Sequence, residues 1–166
     1  MTTSPRILIP PTYSELVGPV VFLAGPIQGA PLWQPDAAKL LHELMPELHV
    51  ASPRRERTLD PVGYDEQVDW ETHHLRRAAT DGVVLFWLAR EATHTCDRAY
   101  AQTTRFELAE WKVRHERDGA KLVVGIDDGF TGAKYIRRRF AQDCPAVPVC
   151  ASLPETCAAA VQLLTA

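Results

Sequence analysis

The residues of this sequence best suited to chemistry are carboxylates, and the first is Glu107, in the stretch Thr103-Thr104-Arg105-Phe106-Glu107-Leu108-Ala109-Glu110-Trp111. The stretch reads as a helix that begins near Thr104 after a loop, which puts Glu107 in its first turn. A helix N-terminus is locally positive and favours an ionised carboxylate, the state a glutamate nucleophile needs. The same spacing fits a capping box, in which Thr104 and Glu107 satisfy orphan amides and no catalysis is involved. Glu71 is the second candidate. It falls on the stripe Val68, Leu75 and Ala78 of a helical stretch over residues 64–80, so it either lines a cavity or sits in solvent at the stripe's edge. Asp69 lies about 200° around that helix and cannot share the position. Arg54 and Arg55, at the exit of a strand, are either a solvated pair or a grip for a carboxylate or phosphate.

These side chains need mounting, and the apolar runs supply it. Residues 19–25 (PVVFLAG), 48–52, 82–88 (GVVLFWL), 121–126 (KLVVGI) and 146–150 read as strands, the longest runs being apolar without alternation, as in strands buried on both faces. Helical spacing is expected over residues 36–45, 64–80, 104–117, 135–141 and 154–164, with Phe106, Ala109 and Val113 as the core-facing line of the third helix. Glu110 and Arg114 form a solvated pair on it. Strand and helix alternate throughout, which predicts an α/β domain with a parallel sheet covered on both faces. Residues 1–18 are expected to be an arm, with a short extended piece at residues 7–9, and residues 19–166 one domain. In such sheets ligands bind beyond the carboxyl ends of the strands. That rule gathers the loop of Gly25 and Pro26, then Trp33, Arg54, Glu71, Trp87 and the start of the Glu107 helix at one edge. The polar connection over residues 90–102 is long enough to be a binding loop or lid.

Composition excludes several classes. The 166 residues suffice to bury roughly two thirds of the unfolded chain's surface. The 46% hydrophobic and 23% charged residues are ordinary, and a net charge of −3 gives no footprint for polymeric nucleic acid. No apolar run is long enough to span a membrane, and residues 1–13 lack a leader pattern, so a cytoplasmic protein is expected. Cys96, Cys144, Cys150 and Cys157 have no metal-binding spacing and read as small buried hydrophobes.

Taken in order, VFLAGPI, EQVDWE, VVLFWL, TRFELAEW and KLVVGI make the chain, over residues 20–126, similar to the nucleoside 2-deoxyribosyltransferase-like proteins. The resemblance implies a flavodoxin-like three-layer sandwich with a five-stranded parallel sheet of central order 2-1-3-4-5, assembled into homo-oligomers. It implies cleavage of a nucleoside N-glycosidic bond by a glutamate attacking C1 of the sugar. The family's Glu-Leu-Gly nucleophile motif corresponds to Glu107-Leu108-Ala109, with alanine in place of glycine, and its helical acidic residue corresponds to Glu71. The early strand tyrosine of the better-known transferases is matched by Val21, and of their aspartate shortly before the nucleophile only Asp97 stands nearby.

The expected reaction is therefore a double displacement through a glycosyl-enzyme on Glu107, resolved by a second base or by water. Glu71 handles the proton or a sugar hydroxyl, Trp33 or Trp87 stacks the base unless it packs in the core, and Arg54 meets a 5′-phosphate if the substrate is a nucleotide. The partners are a nucleoside or nucleotide and a free base, and the reaction requires no metal or organic cofactor. Two alternatives are a hydrolase of nucleoside 5′-monophosphates and a nucleotide-sensing module that has lost turnover.

Overall fold

The computed structural model describes residues 6–55, 61–95 and 97–166. Its strands are β1 (Ile7–Leu8), β2 (Val20–Ala24), β3 (His49–Ala51), β4 (Gly82–Leu88), β5 (Leu122–Ile126) and β6 (Val149–Cys150). Its helices are α1 (Gln34–Leu44), α2 (Tyr64–Thr80), α3 (Gln102–Asp118), α4 (Ala133–Asp143) and α5 (Leu153–Thr165). All strand pairs are parallel, in the order β1-β3-β2-β4-β5-β6.

From β3 to β6 this is the flavodoxin-like order expected, with one addition. Among the described residues the sheet has six strands instead of five, because the N-terminal segment adds β1 beside β3, with Ile7 opposite Val50 and Leu8 opposite Ala51. Leu8 is buried, and the N–H groups of Val50 and Ser52 donate to the carbonyls of Arg6 and Leu8. Burial of one leucine and closure of two backbone bonds explain why so short a piece pairs. The segment then crosses α2, where Trp70 Nε1 donates to the Thr12 carbonyl at 2.8 Å and Tyr13 meets the rings of His73 and His74.

The strands β2 to β5 are buried on both faces, and their alternation sorts the core into two layers. Val20, Phe22, Ala24, Val84, Phe86 and Leu88 face α2, α3 and α4, where Trp70, Leu108 and Phe140 pack. Val21, Leu23, Val83, Leu85 and Trp87 face α1 and α5, against Leu41, Cys157 and Ala160. Successive side chains point to opposite faces, so residue parity alone decides the layer.

The third helix departs from expectation twice. Its first residue is Gln102, so Glu107 stands in the second turn, and no side chain caps its N-terminus. Neither the first-turn position nor the capping box survives. A reciprocal arrangement of that kind is found instead on α5, where Ser152 Oγ accepts from the Glu155 amide and the Glu155 carboxylate accepts from the Ala151 amide. The core-facing line of α3 is Thr104, Leu108 and Trp111; Phe106 is 75% and Val113 46% exposed, with Ala109 exposed between them. The weakly amphipathic sequence of α3 carries apolar residues on two faces, so spacing selected the wrong one. On α2 the stripe shifts likewise, with Trp70, His74, Leu75 and Ala78 buried and Val68 exposed. Glu110 and Arg114 do pair, at 2.8 Å. Cys144 and Cys157 are buried and Cys150 partly so, all three as free thiols, while Cys96 lies outside the described residues. Among the described residues no helix is long and apolar enough to cross a membrane.

Candidate active site

Beyond the carboxyl ends of β2, β3 and β4 lies a cavity of about 700 Å³, bounded by the loop after β2, the exit of β3, α2, and the start of α3. That volume suits a ligand of nucleoside or nucleotide size. Gly25, Pro26, Arg54, Glu71 and Glu107 all line it, so five of the seven residues expected at the site converge there.

Backbone ties hold the walls. The amides of Ala92 and Thr93 both donate to the Gly29 carbonyl, fastening the loop after β4 to the loop after β2. The Arg90 amide donates to Asp127 Oδ2 at 3.1 Å, which fastens it to the loop after β5. The chain turns into α3 through Ala101, whose φ of 56° is left-handed, a strained conformation for a residue with a Cβ. Tyr100 and Arg105 brace that turn. Tyr100 Oη donates to the Ala89 carbonyl at 2.7 Å; Arg105 donates to the Thr131 carbonyl at 2.7 Å and lies over the Phe130 ring at 4.5 Å. Glu107 therefore projects from a helix whose first turn is anchored at both ends.

Trp33 and Trp87 are not on the cavity wall, which corrects the expectation that either would stack a heterocycle there. They are 3% and 7% exposed and belong to the layer against α1 and α5. Trp87 sits on the odd-numbered face of β4, and parity sends it away from Glu107. Trp33 acts from behind: its Nε1 donates to the Pro26 carbonyl at 3.0 Å, fixing the loop that forms one wall. A Cβ at Gly25 would run into the Trp87 carbonyl and stand 2.7 Å from the Trp33 ring, so only glycine lets this loop pass so near the two tryptophans. Val21 points into the tryptophan layer too; the strand residues facing the cavity are Phe22 and Ala24. Asp97 is exposed and is not on the wall.

The two carboxylates carry unusual protonation. Burial pushes Glu107 up from its ordinary 4.5 to about 8, and the charges of Glu71 and then Glu110 push the same way. Burial raises Glu71 as well, opposed by a hydrogen bond from Gln67 Nε2 at 2.7 Å. The helix N-terminus does not keep Glu107 ionised as expected, because one turn further in the helix field has fallen away while desolvation is large. At neutral pH the pair in the free site retains a proton, and the two groups titrate as a unit.

Several lining residues escaped the sequence reading. Gln67 positions Glu71 and also donates to the Pro53 carbonyl at 3.1 Å, which leaves its own Oε1 buried without a partner among the described residues. Its i, i+4 spacing to Glu71 was the available signal. Tyr64 and Arg98 are on the wall with no sequence pattern to mark them. Among the described residues, no group of three or more His, Cys, Asp or Glu side chains is gathered to hold a metal ion.

Comparison with known proteins agrees with this fold. A family model described as nucleoside 2-deoxyribosyltransferase like matches residues 18–130, the span from β2 to just past β5. Among solved structures, one reported as a conserved protein from Enterococcus faecalis V583 superposes with a TM-score of 0.52 at 12% identity, covering 89% of this chain and 100% of that one. At that identity the likeness concerns the fold. No curated protein matches the chain.

Proposed function

Because the chain belongs to the nucleoside 2-deoxyribosyltransferase-like family, we propose that it cleaves the N-glycosidic bond of a nucleoside or nucleotide, with Glu107 as nucleophile and Glu71 as its proton-handling partner. The observation that carries this reading is the pair itself: two partly buried carboxylates from two helices, facing one cavity, each raised in pKa, with the charge of Glu71 acting on Glu107. Such a pair costs stability and has no ion-pair partner among the described residues, as expected of a site kept for chemistry.

In the first step a Glu107 carboxylate oxygen bonds to C1′ as the C1′–N bond breaks. The base departs with the bonding electrons and takes up the proton that the pair retains at neutral pH. In the second step water, or the nitrogen of another base, attacks C1′ and releases Glu107, while Glu71 accepts the attacker's proton. The product distinguishes hydrolase from transferase. The homo-oligomer that family likeness suggests has a surface to use in the exposed stripe Phe106, Ala109 and Val113 of α3.

The test is release of free base from a panel of ribo- and deoxyribonucleosides and their monophosphates, followed by chromatography, with and without an added second base. Glu107→Ala is expected to abolish release while the thermal unfolding transition is retained. A folded Glu107→Ala variant that still releases base refutes the assignment. Saturable binding to the wild type without base release would favour the sensing alternative.

A further inference from the structure

The cavity has a second electrostatic character away from the carboxylates. Arg54, Arg55 and Arg98 line it, and none of the three forms an ion pair among the described residues. Arg54 is partly buried, and its Nη1 is shut off from solvent with no acceptor among the described residues. Guanidinium groups at a cavity wall without a carboxylate partner are free to meet an anionic ligand, for which the planar fork is suited. Neither Glu71 nor Glu107 forms an ion pair with any of these arginines among the described residues.

A third feature converges on the same wall. Gln102, Thr103 and Thr104, the first turn of α3, border the cavity, and that turn has neither a side-chain cap nor an acidic residue. The helix's first backbone bond runs from the Arg105 amide to the Ala101 carbonyl, so the three preceding amides have no carbonyl within the helix to receive them. Amides of this kind beside arginines form a phosphate cradle, with the guanidinium fork supplying paired donors.

We propose that Arg54, Arg98 and the amino end of α3 bind the 5′-phosphate of the substrate, so that the enzyme acts on nucleoside 5′-monophosphates in preference to neutral nucleosides. This rests on the N-glycosidic reading above and names its substrate class. With water as acceptor, the products are a free base and a sugar 5-phosphate. The same phosphate chemistry could instead come from inorganic phosphate attacking C1′. That reagent would have to stand beside Glu107, where burial and Glu71 already disfavour negative charge, so the substrate-borne phosphate is the source the geometry favours.

The experiment compares kcat/KM for base release from matched nucleosides and 5′-monophosphates in the full chain, for wild type, Arg54→Met and Arg98→Met, with thermal melts as the control for folding. Binding of the same ligands and of inorganic phosphate to Glu107→Gln is measured by calorimetry. The wild type is expected to prefer the monophosphate at least about tenfold, and Arg54→Met to reduce that preference about 10- to 100-fold. Inorganic phosphate should compete with the monophosphate. Equal kcat/KM for the two substrates, a preference untouched in both arginine variants, or formation of a sugar 1-phosphate dependent on inorganic phosphate would overturn the proposal and leave the glycosidic reading standing. If no substrate releases base, the glycosidic reading fails by itself. Calorimetry then decides the phosphate site, which is supported by tighter binding of monophosphate than nucleoside and overturned by equal binding.

Discussion

Replacing Glu107 by glutamine should make the protein more stable, and increasingly so as pH rises. In the fold, ionisation of Glu107 is displaced from 4.5 to about 8. At about 1.4 kcal/mol per unit, this makes the buried carboxylate about 5 kcal/mol harder to ionise than in the unfolded chain. The sign follows from proton linkage. A carboxyl whose folded pKa is raised binds more protons folded than unfolded between the two values, so its contribution to stability is fully present below pH 4.5 and is lost as pH climbs to about 8. The wild type should therefore lose on the order of 5 kcal/mol across that window from this residue. Glu107→Gln keeps the shape of the protonated carboxyl and has nothing to ionise, so it should lose far less. Urea unfolding of both proteins at intervals from pH 4.5 to 8.5, followed by far-ultraviolet circular dichroism, measures the difference directly. Parallel stability curves for the two proteins would refute the claim that Glu107 is buried and repelled by its neighbours. A wild-type curve that rises relative to the variant would reverse its sign.

The same pair predicts a bell-shaped pH dependence of kcat/KM, with an alkaline limb near pH 8 as the retained proton is lost; a rate still rising through pH 9 would contradict it. Glu71→Gln should lower kcat by about 100-fold or more and move the titration of Glu107 towards acid, read by a pH-rate profile of the residual activity. Gly25→Ala should destabilise the fold by about 1–3 kcal/mol in urea and lower activity as well, because the added carbon collides with the Trp87 carbonyl and the Trp33 ring. Phe106→Asp should change monomer stability by less than about 0.5 kcal/mol. If the exposed α3 stripe joins subunits, the same substitution lowers the mass seen in sedimentation equilibrium, and an unchanged oligomer places the contact elsewhere.

Much of this molecule is written locally. Runs such as PVVFLAG and GVVLFWL can be little other than buried strands, since nothing in them alternates and both faces must therefore be covered. Alternation of strand and helix then implies parallel pairing and places the ligand edge, and Gly25, Pro26, Arg54, Glu71 and Glu107 do line one cavity at that edge. The helices fall where the spacing puts them to within a few residues, and α2 begins and ends where the sequence predicts.

What the sequence left open is where orientation matters. A strand apolar on both faces does not say which face meets which helices, so only the parity that the sheet reveals turns Trp87 and Val21 away from the cavity. Helix α3 has apolar residues on two faces, and only its packing shows that Leu108 and Trp111 are inside and Phe106 outside. Its start depends on a left-handed alanine at position 101, a conformation with no sequence mark, and that shift moved Glu107 out of the first turn. The residue types at the site are thus determined by the sequence. Their protonation is determined by the tertiary structure, because desolvation and the approach of Glu71 arise only when two helices far apart in the chain close over one cavity.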